Sequence, residues 1–354
     1  MKKLFLSLTT LALLITSCNS DDAKEITQEQ QIDMSDFYVY TDSADDLANK
    51  QNTGKDDGKT CGTMSNLNRL LAENPGLEKK MFDVEYKTRQ YLAAKGKPVR
   101  GGDSGGGTVD NADYNEDPIN DGLGTITIKV NVIVVYPNAD NITDAQIQSQ
   151  IDVLNADFNN TNTEVLPSGT TFGNDRTNTA IQFTLASIER HNNRTKYWGT
   201  NDSVKLTYPP SDPEHQLNIW VCNISRSILG YAQFPGGNSA TDGIVIGGDY
   251  FGKTSGAYGL GRTATHEIGH YLNLRHIWGD GGCSQDDFVI DTPTSDRSNS
   301  GCPTYPTVHC NTNDMTMNYM DYTYDSCMYM FTDGQRNRMR AIFASGGARE
   351  IMIQ

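Results

Sequence analysis

Residues 266–276 read HEIGHYLNLRH. Residues four apart share one face of an α-helix, so a helix through His266 and His270 brings two imidazoles to one point. His276 lies six positions beyond His270, and a straight helix would carry it to a different face. For a third imidazole to join the first two, the chain must leave the helix near residue 273 and turn back. Such an exit needs a residue at positive φ, for which glycine is best and asparagine next. Asn273 stands at that place. Half of the chain's six histidines fall in this one segment, which disfavours a helix that merely displays histidines on its surface.

The chemistry of the pattern is that of a metal site. Zinc with nitrogen ligands and one open position yields a hydroxide near neutral pH and polarises a carbonyl. Glu267, next to the first histidine, would take the water's proton and later hand it to a leaving amine. A charge of −15 over 354 residues makes nucleic acid or an anionic surface an unfavourable partner. No apolar run is long enough to span a membrane.

The N-terminus reads as a targeting segment: Lys2 and Lys3, an apolar stretch, then small residues before Cys18. Ile15-Thr16-Ser17-Cys18 resembles a bacterial lipobox, which implies lipidation of Cys18, removal of residues 1–17 and a precursor anchored to the outer membrane or cell surface; an ordinary signal peptide is the rival. Export permits disulfides, and four of the six remaining cysteines crowd into 283–327. Two bridges are expected there, and four cysteines allow three pairings.

Residues 18–60 are polar and read as a mostly disordered tether. Residues 61–100 form a pro-segment with helical spacing of Leu67, Leu70, Leu71, Met81, Val84, Tyr91 and Leu92, broken near Pro75-Gly76. Residues 101–123 read as a Gly- and Asp-rich linker, easily cut. The catalytic domain spans 124–354. Strands are expected at TITIKVNVIVVY, IQFTLASIER, LNIWVCNIS and DGIVIGGDYFG, a helix capped by Thr143 at TDAQIQSQIDVLNADFNN, and a final helix near TDGQRNRMRAIFA. Strands between helices followed by an irregular Cys-rich stretch imply an α/β domain in two subdomains.

HExxHxxGxxH is the signature of the metzincin metallopeptidases, and residues 266–276 match it except for Asn273 at the glycine position. Three histidines argue against a thermolysin-like site with a distant glutamate. NYMDYTYDSCMY closely resembles the methionine-turn stretch of the pappalysin family, ulilysin-like branch; the resemblance runs from about 61 to 345. It implies a twisted mixed sheet, an active-site helix and an irregular disulfide-linked C-terminal subdomain behind a small helical pro-segment. It implies catalytic zinc on His266, His270 and His276, Met320 as the turn methionine, and Tyr322 as a donor to the oxyanion. It also implies bridges Cys283–Cys310 and Cys302–Cys327, and structural calcium with ligands at Asp287 and Thr292; a solvated acidic loop is the rival to calcium. Substrate would add to DGIVIGGDYFG as an edge strand. Arginine would be favoured at P1′ with Asp325 as the acid of that pocket, unless Asp325 is a plain surface residue.

KTCGT resembles the pro-segment cysteine of ulilysin-like zymogens, making Cys61 a latency switch. Its rivals are a Cys61–Cys222 disulfide and blockage by Asp103. Arg100 suits self-cleavage, which would release the catalytic domain from the lipid. The expected protein is thus a monomeric zinc endopeptidase acting on proteins or peptides. An inactive zinc- and calcium-binding surface lipoprotein is the alternative, but it has no need of Glu267 and Tyr322. A structural lipoprotein would hold calcium without zinc.

Overall fold

A computed structural model of the chain describes residues 32–39, 60–96, 117–224 and 227–354. Its centre is a six-stranded sheet of β1 (Thr60–Cys61), β2 (Ile126–Tyr136), β3 (Ile181–Asn192), β4 (Gln216–Cys222), β5 (Ile228–Ala232) and β6 (Ile244–Gly247). The spatial order is β1-β5-β6-β4-β2-β3. β3, β2, β4 and β6 are mutually parallel, β5 is antiparallel to β6, and β1 runs parallel to β5.

From Val130 to Val135 β2 is buried on both faces, which explains its β-branched run there. Val130, Val132 and Val134 face the large core with Ile268 and Leu154, whereas Ile133 and Val135 face a smaller one with Trp220 and Tyr231. On the large-core side lie α3 (Asp144–Phe158) and α5 (Arg262–Tyr271). Thr143 caps α3 by accepting from Gln146 N at 3.2 Å. The short α4 (Ser203–Thr207) lies against the smaller core through Val204. The chain closes with α6 (Asp333–Ala341), begun by a Thr332–Gln335 capping box.

Beyond α5 regular structure is sparse. Two-residue strands β7 (Ser300–Gly301) and β10 (Tyr322–Thr323) pair with each other, as do β8 (Val308–His309) and β9 (Thr312–Asn313). Cys283 is bonded to Cys310 and Cys302 to Cys327, closing two interleaved loops. Cross-links over such loops stabilise by about 2–4 kcal/mol each. This is the metzincin-type α/β fold with a disulfide-linked C-terminal subdomain. Among the described residues no helix is long and apolar enough to cross a membrane.

The stretch read as a pro-segment forms α1 (Thr63–Glu73) and α2 (Leu77–Ala94), interrupted at the expected break near Pro75. Four sequence expectations need correction. DGIVIGGDYFG is not the edge strand: β6 lies inside, and β5 covers it. β5 is only five residues long and carries Gly230, so its pattern is too brief to read. Residues 32–39, placed in the tether, pack against the rest, with Val39 1% exposed. Residues 117–123, placed in the linker, dock on α6, where Ile119 N donates to Asn337 and Arg340 pairs with Asp121. Cys61 and Cys222 are both free thiols, so the Cys61–Cys222 bridge does not form. Cys18, Arg100 and Asp103 lie outside the described residues.

Candidate active site

Helix α5 is buried along its whole length. Asp325 closes its N-terminal end: one carboxylate oxygen accepts from Leu260 N at 2.8 Å and Arg262 N at 3.2 Å. That is a favourable place for a carboxylate, facing unpaired helix N–H groups. Thr265 donates to Asp157 at 2.8 Å, as does Tyr319 Oη, tying α5 to α3 and to the loop before Met320.

The helix ends as its sequence requires. Asn273 has φ 74°. Leu274 N bonds Gly269 O at 2.9 Å and Asn273 N bonds His270 O at 3.0 Å, the paired bonds of a Schellman motif. The reversal returns His276 to the two helical histidines. Gly269 makes room on the other side of the helix, since a Cβ there would lie 2.3 Å from Met320 Sδ. Glycine alone lets the fully buried Met320 pass directly beneath the helix.

His266, His270 and His276 converge, with Nε2 atoms 3.1–3.3 Å apart. Each Nδ1 faces an oxygen: Tyr319 O at 2.7 Å, Leu274 O at 2.8 Å and Asp280 Oδ1 at 2.5 Å. These acceptors hold the proton on Nδ1, so three lone pairs point at one buried spot. Burial lowers the His266 pKa to about 3 and pushes that of His270 down as well, each helped by the neighbouring imidazoles. Three uncharged donors facing each other without a hydrogen between them need a cation, and neutral imidazoles suit zinc.

A fourth donor joins them. Cys61, at the end of β1, places its sulfur with the three histidine nitrogens, all four atoms within 4.8 Å of one another. It is the only such cluster among the described residues. The start of α1 reaches Glu267: Thr63 Oγ1 donates to Glu267 Oε2 at 2.7 Å and accepts from Ala232 N at 2.8 Å. Burial raises the Glu267 carboxyl to about 7, although the bonds from Thr63 and Cys61 pull it back.

Tyr322 lies across the site, its ring 4.9 Å from His276 and 5.7 Å from His266. Trp278 stacks on His276 at 4.3 Å and meets Tyr322 edge-on at 4.8 Å. A small cleft opens beside His266, lined among others by Cys61, Leu229, Thr263, Tyr322 and Asp325. Asp325 is 1% exposed, so it is no surface residue; burial raises its carboxyl to about 6. Asp287 and Thr292 are buried and bond each other, Thr292 Oγ1 lying 2.9 Å from both carboxylate oxygens.

Thr63, Asp280 and Trp278 do not stand out in the sequence. Asp280 carries a faint signal, an acid four residues past the third histidine. Thr63 and Trp278 carry none, because their roles arise from pairing of distant segments.

A mixed sheet with one antiparallel strand over the helix, a three-histidine helix-and-return and a methionine beneath it define a metzincin-class metallopeptidase. Residues 201–344 match the peptidase family profile described as pregnancy-associated plasma protein-A. An extracellular metalloprotease of Arthroderma otae is 34% identical over 208 residues, 56% of this chain and 70% of that protein. One from Pyricularia oryzae is 34% identical over 231 residues, 62% of this chain and 75% of its own length. Mature mirolysin of Tannerella forsythia with a cleaved peptide superposes with TM-score 0.63 at 44% identity, covering 65% of this chain and 96% of that one. A promirolysin mutant of the same organism gives TM-score 0.67 at 36% identity over 83% of this chain and 97% of that one. The chain belongs to this pappalysin-type family of zinc metallopeptidases.

Proposed function

We propose that the chain is the latent precursor of an exported endopeptidase that cuts peptide bonds in proteins, with His266, His270 and His276 as zinc ligands. The convergence of three buried Nε2 atoms beside Glu267 carries this reading. Bound there, zinc would polarise a carbonyl and lower the pKa of water. Glu267 takes the proton of the attacking water and passes it to the leaving amine. Tyr322, packed against both His276 and Trp278, offers its phenol to the charge developing on the scissile carbonyl oxygen. Met320 is the turn methionine.

In the precursor Cys61 supplies the fourth donor and Thr63 engages the base, so neither water nor substrate has a place. The likeness to promirolysin, which extends further along the chain than that to mature mirolysin, supports a zymogen. Latency through Cys61 rather than Asp103, a signal peptide over 1–17, lipidation at Cys18 and release by a cut near Arg100-Gly101 complete the proposal. Extracellular relatives support export. Asp325 lines the cleft and favours arginine at P1′. Asp287 and Thr292 would contribute to a calcium site, a reading that rests on the family resemblance.

The test compares wild type with Glu267→Ala as full chains supplied with zinc, followed by intact mass and N-terminal sequencing. Only the wild type should trim itself near Arg100 and then cut arginine-containing peptides. If both stay whole with one zinc bound, and a trypsin cut in the linker still leaves the wild type inactive, the enzyme reading fails in favour of a binding module.

A further inference from the structure

Residues 32–39, IDMSDFYV, lie on a seam between pro-segment helix α2 and the catalytic loop 275–288. Tyr38 Oη sits between two carbonyls, 2.8 Å from Asp286 O and closer still to Gly279 O. Its own carbonyl accepts from Arg275, whose guanidinium covers the Tyr38 ring at 4.3 Å and the Phe288 ring at 4.8 Å. Gly279 permits this approach: a Cβ there would lie 2.9 Å from Tyr38 Oη and 2.7 Å from Asp286 N. One residue on is Asp280, which holds His276.

The other side of the segment grips α2. Asp36 pairs with Arg89 at 2.5 Å, and Phe37 meets Phe82 edge-on at 5.2 Å. Val39 is buried with Leu67, Leu71, Leu77 and Met81 of the two pro-segment helices. Arg89 also binds Glu85, and Glu85 binds Arg338 of α6, so the charges form one chain across the seam.

We propose that the surface formed by Arg275, Gly279, Asp286 and Phe288 is a docking site for an aromatic peptide, and that its occupant is the chain's own Phe37 and Tyr38, which Asp36 ties to α2. The site is a second latch. It fastens α2 to the loop behind the third histidine, at a distance in sequence from the Cys61 end of the pro-segment. A cut in the linker then leaves the pro-segment docked, and its release requires this segment to let go. This rests on the proposed latency through Cys61, and adds a separate contact to it.

The experiment uses the full chain carrying Glu267→Ala, so that it does not cut itself, with a specific protease site placed within 101–107. After that cut, size-exclusion chromatography follows whether the pro-segment stays with the remainder, and alkylation of Cys61 is timed with and without a zinc chelator. The parent should co-elute. Tyr38→Phe and Arg275→Gln each remove one contact between the segment and the loop and should release the pro-segment roughly three- to tenfold faster. Release at the parental rate in both variants overturns the proposal, as does immediate dissociation of the parent. If chelation leaves Cys61 alkylation unchanged, the Cys61 reading fails, while the elution result still decides the second latch.

Discussion

Thr63 Oγ1 lies 2.7 Å from Glu267 Oε2 and also accepts from Ala232 N, so one pro-segment hydroxyl bridges β5 and the carboxylate beside the metal centre. The carboxylate that must receive a proton in catalysis is thus already engaged. Thr63→Val keeps the shape and removes the donor. Intact zymogen carrying it should cleave a fluorogenic peptide roughly tenfold faster than the parent, since a bond to a charged group contributes about 1.5–3 kcal/mol. Equal rates would mean that Thr63 only positions β1.

Asp280 orients His276 through Nδ1 at 2.5 Å. Asp280→Asn should weaken zinc binding by about 10- to 100-fold, the usual cost of losing an outer partner of a ligating histidine. Competition against a chromophoric chelator would read this without any activity assay.

Asn273 at φ 74° tests the turn itself. Asn273→Gly should leave thermal stability nearly unchanged, because only a long 3.4 Å contact to Thr88 is lost while backbone strain is relieved. Asn273→Val should cost about 1–2 kcal/mol, since a side chain branched at Cβ resists the left-handed region. Melting curves of the two variants should separate clearly.

Glu85 gives a pH test. Burial by itself would raise its carboxyl, but Arg338 and Arg89 on either side outweigh burial and hold it at about 2 against an ordinary 4.5. A depressed carboxyl stabilises the docked pro-segment above pH 4.5, and that contribution fades as pH falls from 4.5 toward 2. Glu85→Gln should lose about 3–5 kcal/mol of docking at neutral pH, because it leaves buried arginines uncompensated. It should also lack the acid-dependent part of pro-segment release, which stopped-flow dilution between pH 5 and 3 would resolve as a difference between the two chains.

Much of the centre is legible in the sequence because its geometry is local. His266, Glu267 and His270 are set by helical periodicity, and Asn273 announces the turn that returns His276. Strands β2, β3, β4 and β6, both pro-segment helices and the capped α3 follow from periodicity and end signals. The disulfide pairing comes only from likeness, since spacing leaves three choices, and the structure shows Cys283–Cys310 and Cys302–Cys327.

What tertiary structure alone decided is what meets those residues from elsewhere in the chain. Sheet order put β5 between β6 and an outer β1, because a five-residue strand is recognised by its partners and not by its own pattern. Thr63 reached Glu267, Trp278 packed against both His276 and Tyr322, and Tyr38 found two loop carbonyls through contacts that carry no sequence period. Local spacing fixes which atoms can share a metal; only the packed chain fixes which distant side chains hold, block or release them.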